Sequence, residues 1–222
     1  PLLRSLPRPP ILVGYCLGGT IATAAAALHP VAGLATIAAP WHFSAYGDAA
    51  APISTMWDQA QPVCEVLGLV PMEVLQSGFW QIDPGRTVAK FERFGRLSPR
   101  SAAARSFVVL EDWANAGAPL TYAAGRQLFD DFYAADLPGR GGWRIGETVI
   151  DPATIAVPRI AFASTADRIV PAATTAACPD TRQLAIGHVG MIVGSHARDA
   201  LWAPLADWLR QVARSRTRAD RF

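Results

Sequence analysis

The amino-acid sequence predicts an α/β fold, a parallel sheet carrying a large, mainly helical insertion. Three observations predict it. The apolar runs Ile11–Val13 and Val31–Ala39 flank the Ala-rich stretch Leu17–Leu28, which is helix between two buried strands. From Trp41 to about Pro158 no second unit of that kind occurs. A strand-like pattern then resumes at Arg159–Ser164, directly after Pro158.

Each element follows from local physics. Ile11–Val13 is too apolar for a strand with one wet face, so it reads as buried on both. Leu17–Leu28 is closed by His29-Pro30, because a proline cannot continue a helix. Val31–Ala39 is a second buried strand, ended by Pro40. A helix joining two such strands makes a right-handed crossover in a parallel sheet. In the insertion, Val63–Gln81 and Ala118–Tyr133 have helical spacing and many large apolar residues. A structureless loop of that length would be implausible in a compact chain, so residues 41–158 are expected to form a mainly helical cap. Within it, Arg140-Gly141-Gly142 reads as a turn and Gly146–Ile150 as a short strand. The core is then expected to comprise residues 1–40 and 159–222. Arg182–Ile186 reads as a last, weaker strand. A final helix from about Ser195 places Leu201, Leu205, Trp208, Leu209 and Val212 on one face, with Pro204 kinking or splitting it. The arginine-rich tail from Arg210 is expected to be frayed and solvated.

Composition excludes several classes of function. The chain has 222 residues, 51% of them hydrophobic and 17% charged, with a net charge of +2. That is a folded globular chain with neither a nucleic-acid surface nor an acidic one. Nearly all its basic residues are arginine; Lys90 is the only lysine. Cys16, Cys64 and Cys178 are widely spaced and odd in number, which argues against a disulfide scaffold and against a zinc site and fits a reducing cytoplasm. No metal site is expected. No apolar run reaches the roughly 18 residues of a membrane span, and no signal peptide is seen.

The chemistry-bearing feature is Val13-Gly14-Tyr15-Cys16-Leu17-Gly18-Gly19-Thr20, between a buried strand and a helix. A cysteine at the centre of G-x-C-x-G stands where α/β-hydrolases write G-x-S-x-G and hold a nucleophile on a strained elbow. Gly14 and Gly18 are expected to let strand and helix backbones pass closely. The helix N-terminus beside Cys16 favours a thiolate there. Asp167 follows the candidate strand Arg159–Ser164, and His188 follows Arg182–Ile186. The order nucleophile, acid, histidine is the α/β-hydrolase order, and strand C-termini are where such sheets build sites. In that triad the thiolate attacks an acyl carbonyl, the imidazole moves the proton, and the carboxylate fixes the imidazole's tautomer. Leu17 is expected to give its backbone N–H to the oxyanion hole. Asp48 and Asp112 compete as acids and His29, His42 and His196 as bases, but none follows a central strand so cleanly.

Three blocks, VGYCLGGT at 13–20, ADRIVP at 166–171 and GHVG at 187–190, resemble the nucleophile, acid and histidine blocks of polyhydroxyalkanoate synthases. EDWANAGAPL at 111–120 resembles the tryptophan-asparagine block of their cap. The resemblance implies an α/β-hydrolase-type sheet with an inserted helical cap, lacking its first strands. It implies that Cys16 takes a hydroxyacyl group from a coenzyme A thioester, with Asp167 and His188 activating the acceptor hydroxyl and no bound cofactor. It assigns Trp113 and Asn115 to substrate binding, and points to a polyester granule surface and a homodimer as partners. Arg168, Ala172 and Ile186 depart from the residues usual in that family. An ester or thioester hydrolase with water as acceptor is the first alternative. Dienelactone hydrolases share the elbow but not so long a cap. A non-catalytic granule- or synthase-binding protein is the second alternative. The early position of the elbow suggests the C-terminal part of a longer protein, with a second oxyanion donor before Pro1 and an exposed edge at Ile11–Val13. The 222-residue chain alone is then expected to be unstable and inactive.

Overall fold

The computed structural model describes residues 2–82 and 84–219. The chain divides into two compact units, Pro1–Tyr46 with Asp136–Phe222, and Gly47–Ala135.

The first unit is built on four parallel strands: β1 (Ile11–Tyr15), β2 (Gly33–Ile37), β3 (Arg159–Ser164) and β4 (Asp180–Leu184), in the order β1-β2-β3-β4. The helix Leu17–Leu28 makes the crossover from β1 to β2, with Ile11 paired to Gly33 and Tyr15 to Ile37. All four strands run the same way, so the loops after β1, β3 and β4 emerge on one edge. One face of the sheet is sealed by Ile37, Ile160, Phe162 and Leu184 packed against Met191, Leu201, Leu205, Trp208 and Val212. The last four lie on the predicted face of the final helical segment. That segment is split near Pro204, as expected: a π-helical turn, Arg198–Trp202, hands over to the α-helix Ala203–Ala219. Proline has no N–H to donate, and the first turn of a helix needs none.

Some boundaries differ from the sequence reading. β4 starts two residues earlier than the apolar pattern suggested, because Asp180, Thr181, Arg182 and Gln183 pair in register with Ile160, Ala161, Phe162 and Ala163. Backbone pairing, with Arg182 lying over the Phe162 ring, holds a polar strand that hydrophobicity could not signal. The tail is helical through Ala219 rather than frayed from Arg210, and Arg210 there pairs with Asp207 at 2.6 Å. Residues 220–222 lie outside the described residues.

The inserted unit is also narrower than 41–158. Residues 41–46 and 136–158 belong with the sheet. The Trp41 N–H donates to the Thr174 carbonyl at 2.8 Å and its ring meets Trp143 at 5.8 Å. Asp136, at φ 49°, accepts hydrogen bonds from the N–H groups of Phe43 and Gly139. A buried carboxylate with two backbone donors thus ties Phe43 to Gly139 within the first unit. The short hairpin Arg144–Ile145 and Thr148–Val149 falls where Gly146–Ile150 suggested a strand.

The second unit is mainly helical: Ala51–Leu67, Met72–Ile82, Pro84–Gly95, Ala102–Asn115 and Tyr122–Arg126, the last continued by a π-helical stretch to Ala134. Its core gathers Ile53, Met56, Trp57, Cys64, Val70 and Phe129. The Trp57 indole N–H would be costly to bury alone; it donates to Asp130 at 2.7 Å.

Candidate active site

Cys16 links β1 to the helix Leu17–Leu28 at φ 54°, ψ −134°, a conformation that L-residues rarely adopt. Neighbouring backbone holds it there. The Cys16 N–H donates to Ile37 on β2 at 2.9 Å, and the Cys16 carbonyl accepts from Gly19 at 2.8 Å. Such over-determined strain lifts a side chain clear of the sheet. The sequence identified only one of the two glycines responsible. A Cβ on Gly14 would lie 2.5 Å from the Gly19 Cα and 2.6 Å from the Gly18 carbonyl oxygen. Its partner in the close approach is Gly19, whose own Cβ would overlap that of Ala39. A Cβ on Gly18 would meet nothing within 4 Å, so the crossing uses its backbone but does not require it to be glycine.

Asp167 lies in the loop after β3, with its side chain fully buried. Its Oδ1 accepts from the N–H groups of Ile169 and Val170 at 2.8 and 2.9 Å. That leaves Oδ2 for His188 in the loop after β4, where Nδ1 lies 2.6 Å away. A carboxylate can only accept, so Nδ1 carries the proton. The Cys16 side chain acts on the same imidazole, raising its pKa, and Nε2 is the nitrogen left to face it. The three predicted residues therefore meet as thiol, imidazole and carboxylate. With the elbow ahead of them and a parallel sheet beneath, the fold is of α/β-hydrolase type.

Two residues that the sequence reading passed over hold this arrangement. Ser164, the last residue of β3, donates to the Ile186 carbonyl at 2.5 Å and accepts from the Ala166 N–H, tying the aspartate loop to the histidine loop. Tyr15, the last residue of β1, stacks on the His188 ring with centroids 4.7 Å apart and donates its hydroxyl to the His188 carbonyl at 3.2 Å. An aromatic side chain beside the elbow cysteine was the available signal for Tyr15. Ser164 gave none beyond its place at a strand end.

Electrostatics favours a charged imidazole. Burial is the largest single influence on His188 and opposes its protonation. The Asp167 and Cys16 hydrogen bonds, with the charges of both groups, outweigh it and raise the pKa to about 9. His188 therefore holds both ring protons at neutral pH. Burial, helped by the Cys16 and Asp167 charges, pushes the Tyr15 phenol far above its ordinary range, so it stays neutral.

The other candidates are placed differently. Cys64 is sealed in the second unit's core, and Cys178 meets the Asp180 carbonyl; burial pushes both thiols up. Asp48, Asp112 and His196 are exposed. His29 caps the end of the helix Leu17–Leu28, and the His42 N–H donates to Thr174. Leu17 opens its helix, so its N–H lies in the first turn, which has no intrahelical acceptor. Trp113 and Asn115 lie in the second unit. Trp113 is exposed, while the Asn115 amide donates to Glu111 and accepts from Gln76, tying two helices together. Among the described residues, no cluster of three or more His, Cys, Asp or Glu could hold a metal ion. None of their helices is long and apolar enough to cross a membrane.

Comparison with known proteins adds a family likeness. The chain is 26% identical, over 94% of its length, to the poly(3-hydroxyalkanoate) polymerase subunit PhaC of Haloferax mediterranei. It is 27% identical, over 89% of its length, to the subunit of that name from Haloarcula marismortui. In sequence the chain is similar to these two polymerase subunits. It spans 44% of the length of each of them. No family model matches it. Among solved structures, VinJ aligns with 91% of the chain and 66% of its own at 15% identity and a TM-score of 0.35. A proline iminopeptidase of Mycobacterium smegmatis aligns with 91% of the chain and 65% of its own at 15% identity and a TM-score of 0.37.

Proposed function

We propose that the chain carries the acyl-transfer centre of a polyhydroxyalkanoate synthase-like enzyme, with Cys16 as nucleophile, His188 as acid and base, and Asp167 as the group that orients His188. One observation carries the reading: a cysteine on a strained elbow shares an imidazole with a buried, doubly anchored carboxylate. The substrate class, a hydroxyacyl-coenzyme A thioester, is taken from the sequence likeness to the two PhaC subunits.

The chemistry follows from the geometry. The Cys16 sulfur, its proton given to His188 Nε2, attacks the thioester carbonyl, and the developing oxyanion is met by the Leu17 N–H at the helix N-terminus. The tetrahedral adduct expels the coenzyme A sulfur, which takes the proton held on His188 Nε2. The acyl group is now on Cys16. An acceptor hydroxyl then gives its proton to Nε2 and attacks the acyl carbonyl, and the Cys16 sulfur leaves. Asp167 keeps Nδ1 protonated throughout, so that Nε2 faces the reaction. A hydroxyacyl acceptor extends a polyester; water releases a free acid. The cytoplasm fits a coenzyme A thioester substrate. A granule contact rests on apolar side chains exposed on the second unit, among them Phe79, Trp80, Val109 and Trp113.

The test is to incubate the intact protein that carries this chain with a 3-hydroxyacyl-coenzyme A and follow both free coenzyme A and product size. The proposal expects coenzyme A release with oligomeric ester products. Coenzyme A release with monomeric hydroxy acid alone would favour the hydrolase. Cleavage of simple esters with the thioester left intact would contradict the substrate class.

A further inference from the structure

Among the described residues, the polar side chains that act on the two nitrogens of the His188 imidazole are Asp167, at Nδ1, and Cys16. A ring held at its two nitrogens can still rock about the line that joins them. Rocking costs little and leaves Nε2 itself in place, but it swings the Nε2–H bond off the line along which a proton must move. A packed surface against the ring face removes that freedom.

Tyr15 supplies the surface. Its ring lies 4.7 Å from the imidazole with only 29° between the planes. Its hydroxyl donates to the backbone carbonyl of His188 at 3.2 Å, so one side chain fixes both the ring and the backbone that bears it. Tyr15 is itself anchored. It is the last ladder residue of β1, paired with Ile37, and the next residue is the nucleophile. A shift of the elbow therefore carries the histidine's support with it. The titratable groups against the imidazole are Cys16 from the elbow, Asp167 from the loop after β3, and Tyr15 from β1. The negative face of an aromatic ring also favours an imidazolium over a neutral imidazole.

We propose that Tyr15 is a positioning residue that fixes the plane and backbone of His188 relative to Cys16. The inference rests on the triad reading above, and its test includes a readout that does not depend on turnover. The full chain is labelled at its four histidines and followed by NMR against pH in the wild type, Tyr15→Phe and Tyr15→Leu. The His188 ring signals, assigned with His188→Gln, are expected upfield in the wild type and in Tyr15→Phe. In Tyr15→Leu they return to ordinary positions and the His188 pKa falls by about one unit. In thioester assays Tyr15→Leu loses roughly 10- to 100-fold in kcat with KM little changed, the scale of a misplaced catalytic group. Tyr15→Phe restores most of it, since the ring remains. An ordinary His188 shift in the wild type overturns the proposal even if Tyr15→Leu does not fold. So does a Leu variant with unchanged shift and pKa, or equal losses in Phe and Leu. If no protein, wild type included, turns over thioester, the functional reading falls and the NMR data alone decide the role of Tyr15.

Discussion

Cys16 differs from the other two cysteines in conformation and in company. Of the three, only Cys16 has a positive φ and acts on an imidazole, while burial holds Cys64 and Cys178 as thiols. Cys16→Ala is expected to lower turnover by about 10³-fold or more, as removal of a triad member does, and Cys64→Ala and Cys178→Ala to leave it within a few-fold. Steady-state kinetics and peptide mapping after limited alkylation check this, with Cys16 labelled first. His188 gives a second prediction. Its pKa rises from an unfolded value of 6.5 to about 9 on folding, so between those values the folded state binds the extra proton. Its stabilising contribution is complete below about pH 6.5 and is lost as pH rises through about 9. Thermal melts across that window should fall with pH, and more shallowly in Asp167→Asn. The three central residues were legible because each follows a strand in a fixed order. Tyr15 and Ser164 were not, because their roles come from contacts between residues distant in sequence, Tyr15 with His188 and Ser164 with Ile186.

At the scale of the element, the elbow divides its glycines into those that must be glycine and one that need not be. Gly14→Ala forces backbone against backbone at 2.5 Å, and no side chain can yield there. It is expected to cost more than the roughly 1–3 kcal/mol of ordinary overpacking, and to abolish folding or activity. Gly18→Ala meets nothing within 4 Å and lies in a helix, so it should leave stability unchanged or raise it by up to about 1 kcal/mol. Urea titrations of the two variants separate these outcomes. Sequence spacing could place three glycines near the turn, but not tell which of them touch. The strands show the same division. Arg159–Ser164 was readable to the residue because its apolar run matches its burial. β4 was misplaced because its ladder residues are polar and largely exposed, so pairing alone defines it.

For the whole molecule, the sheet's order leaves β1 at one edge, with Val13 exposed among its apolar residues. Among the described residues no strand pairs with its outer side. Unpaired apolar edges invite edge-to-edge association, and lysine is a common natural guard against it. The 222-residue chain is expected to self-associate with rising concentration, and Val13→Lys to reduce this without lowering the melting temperature by more than a few degrees. Sedimentation velocity at several concentrations measures it. The sheet and its helical insertion were readable from alternating apolar runs and their absence. The extent of the insertion was not, because Asp136 and Trp143 bind segments far away in sequence.

The central claim is that Cys16 accepts the acyl group from a thioester. Mixing the intact protein that carries this chain with a 3-hydroxyacyl-coenzyme A, quenching in acid and mapping peptides by mass spectrometry tests it most directly. An Asp167→Asn variant, whose imidazole loses its orienting carboxylate, slows deacylation and raises the yield. The account predicts the acyl mass on the peptide containing Cys16 and its absence in Cys16→Ala. Coenzyme A release with no adduct on Cys16, or with the adduct on Cys64 or Cys178, would contradict it.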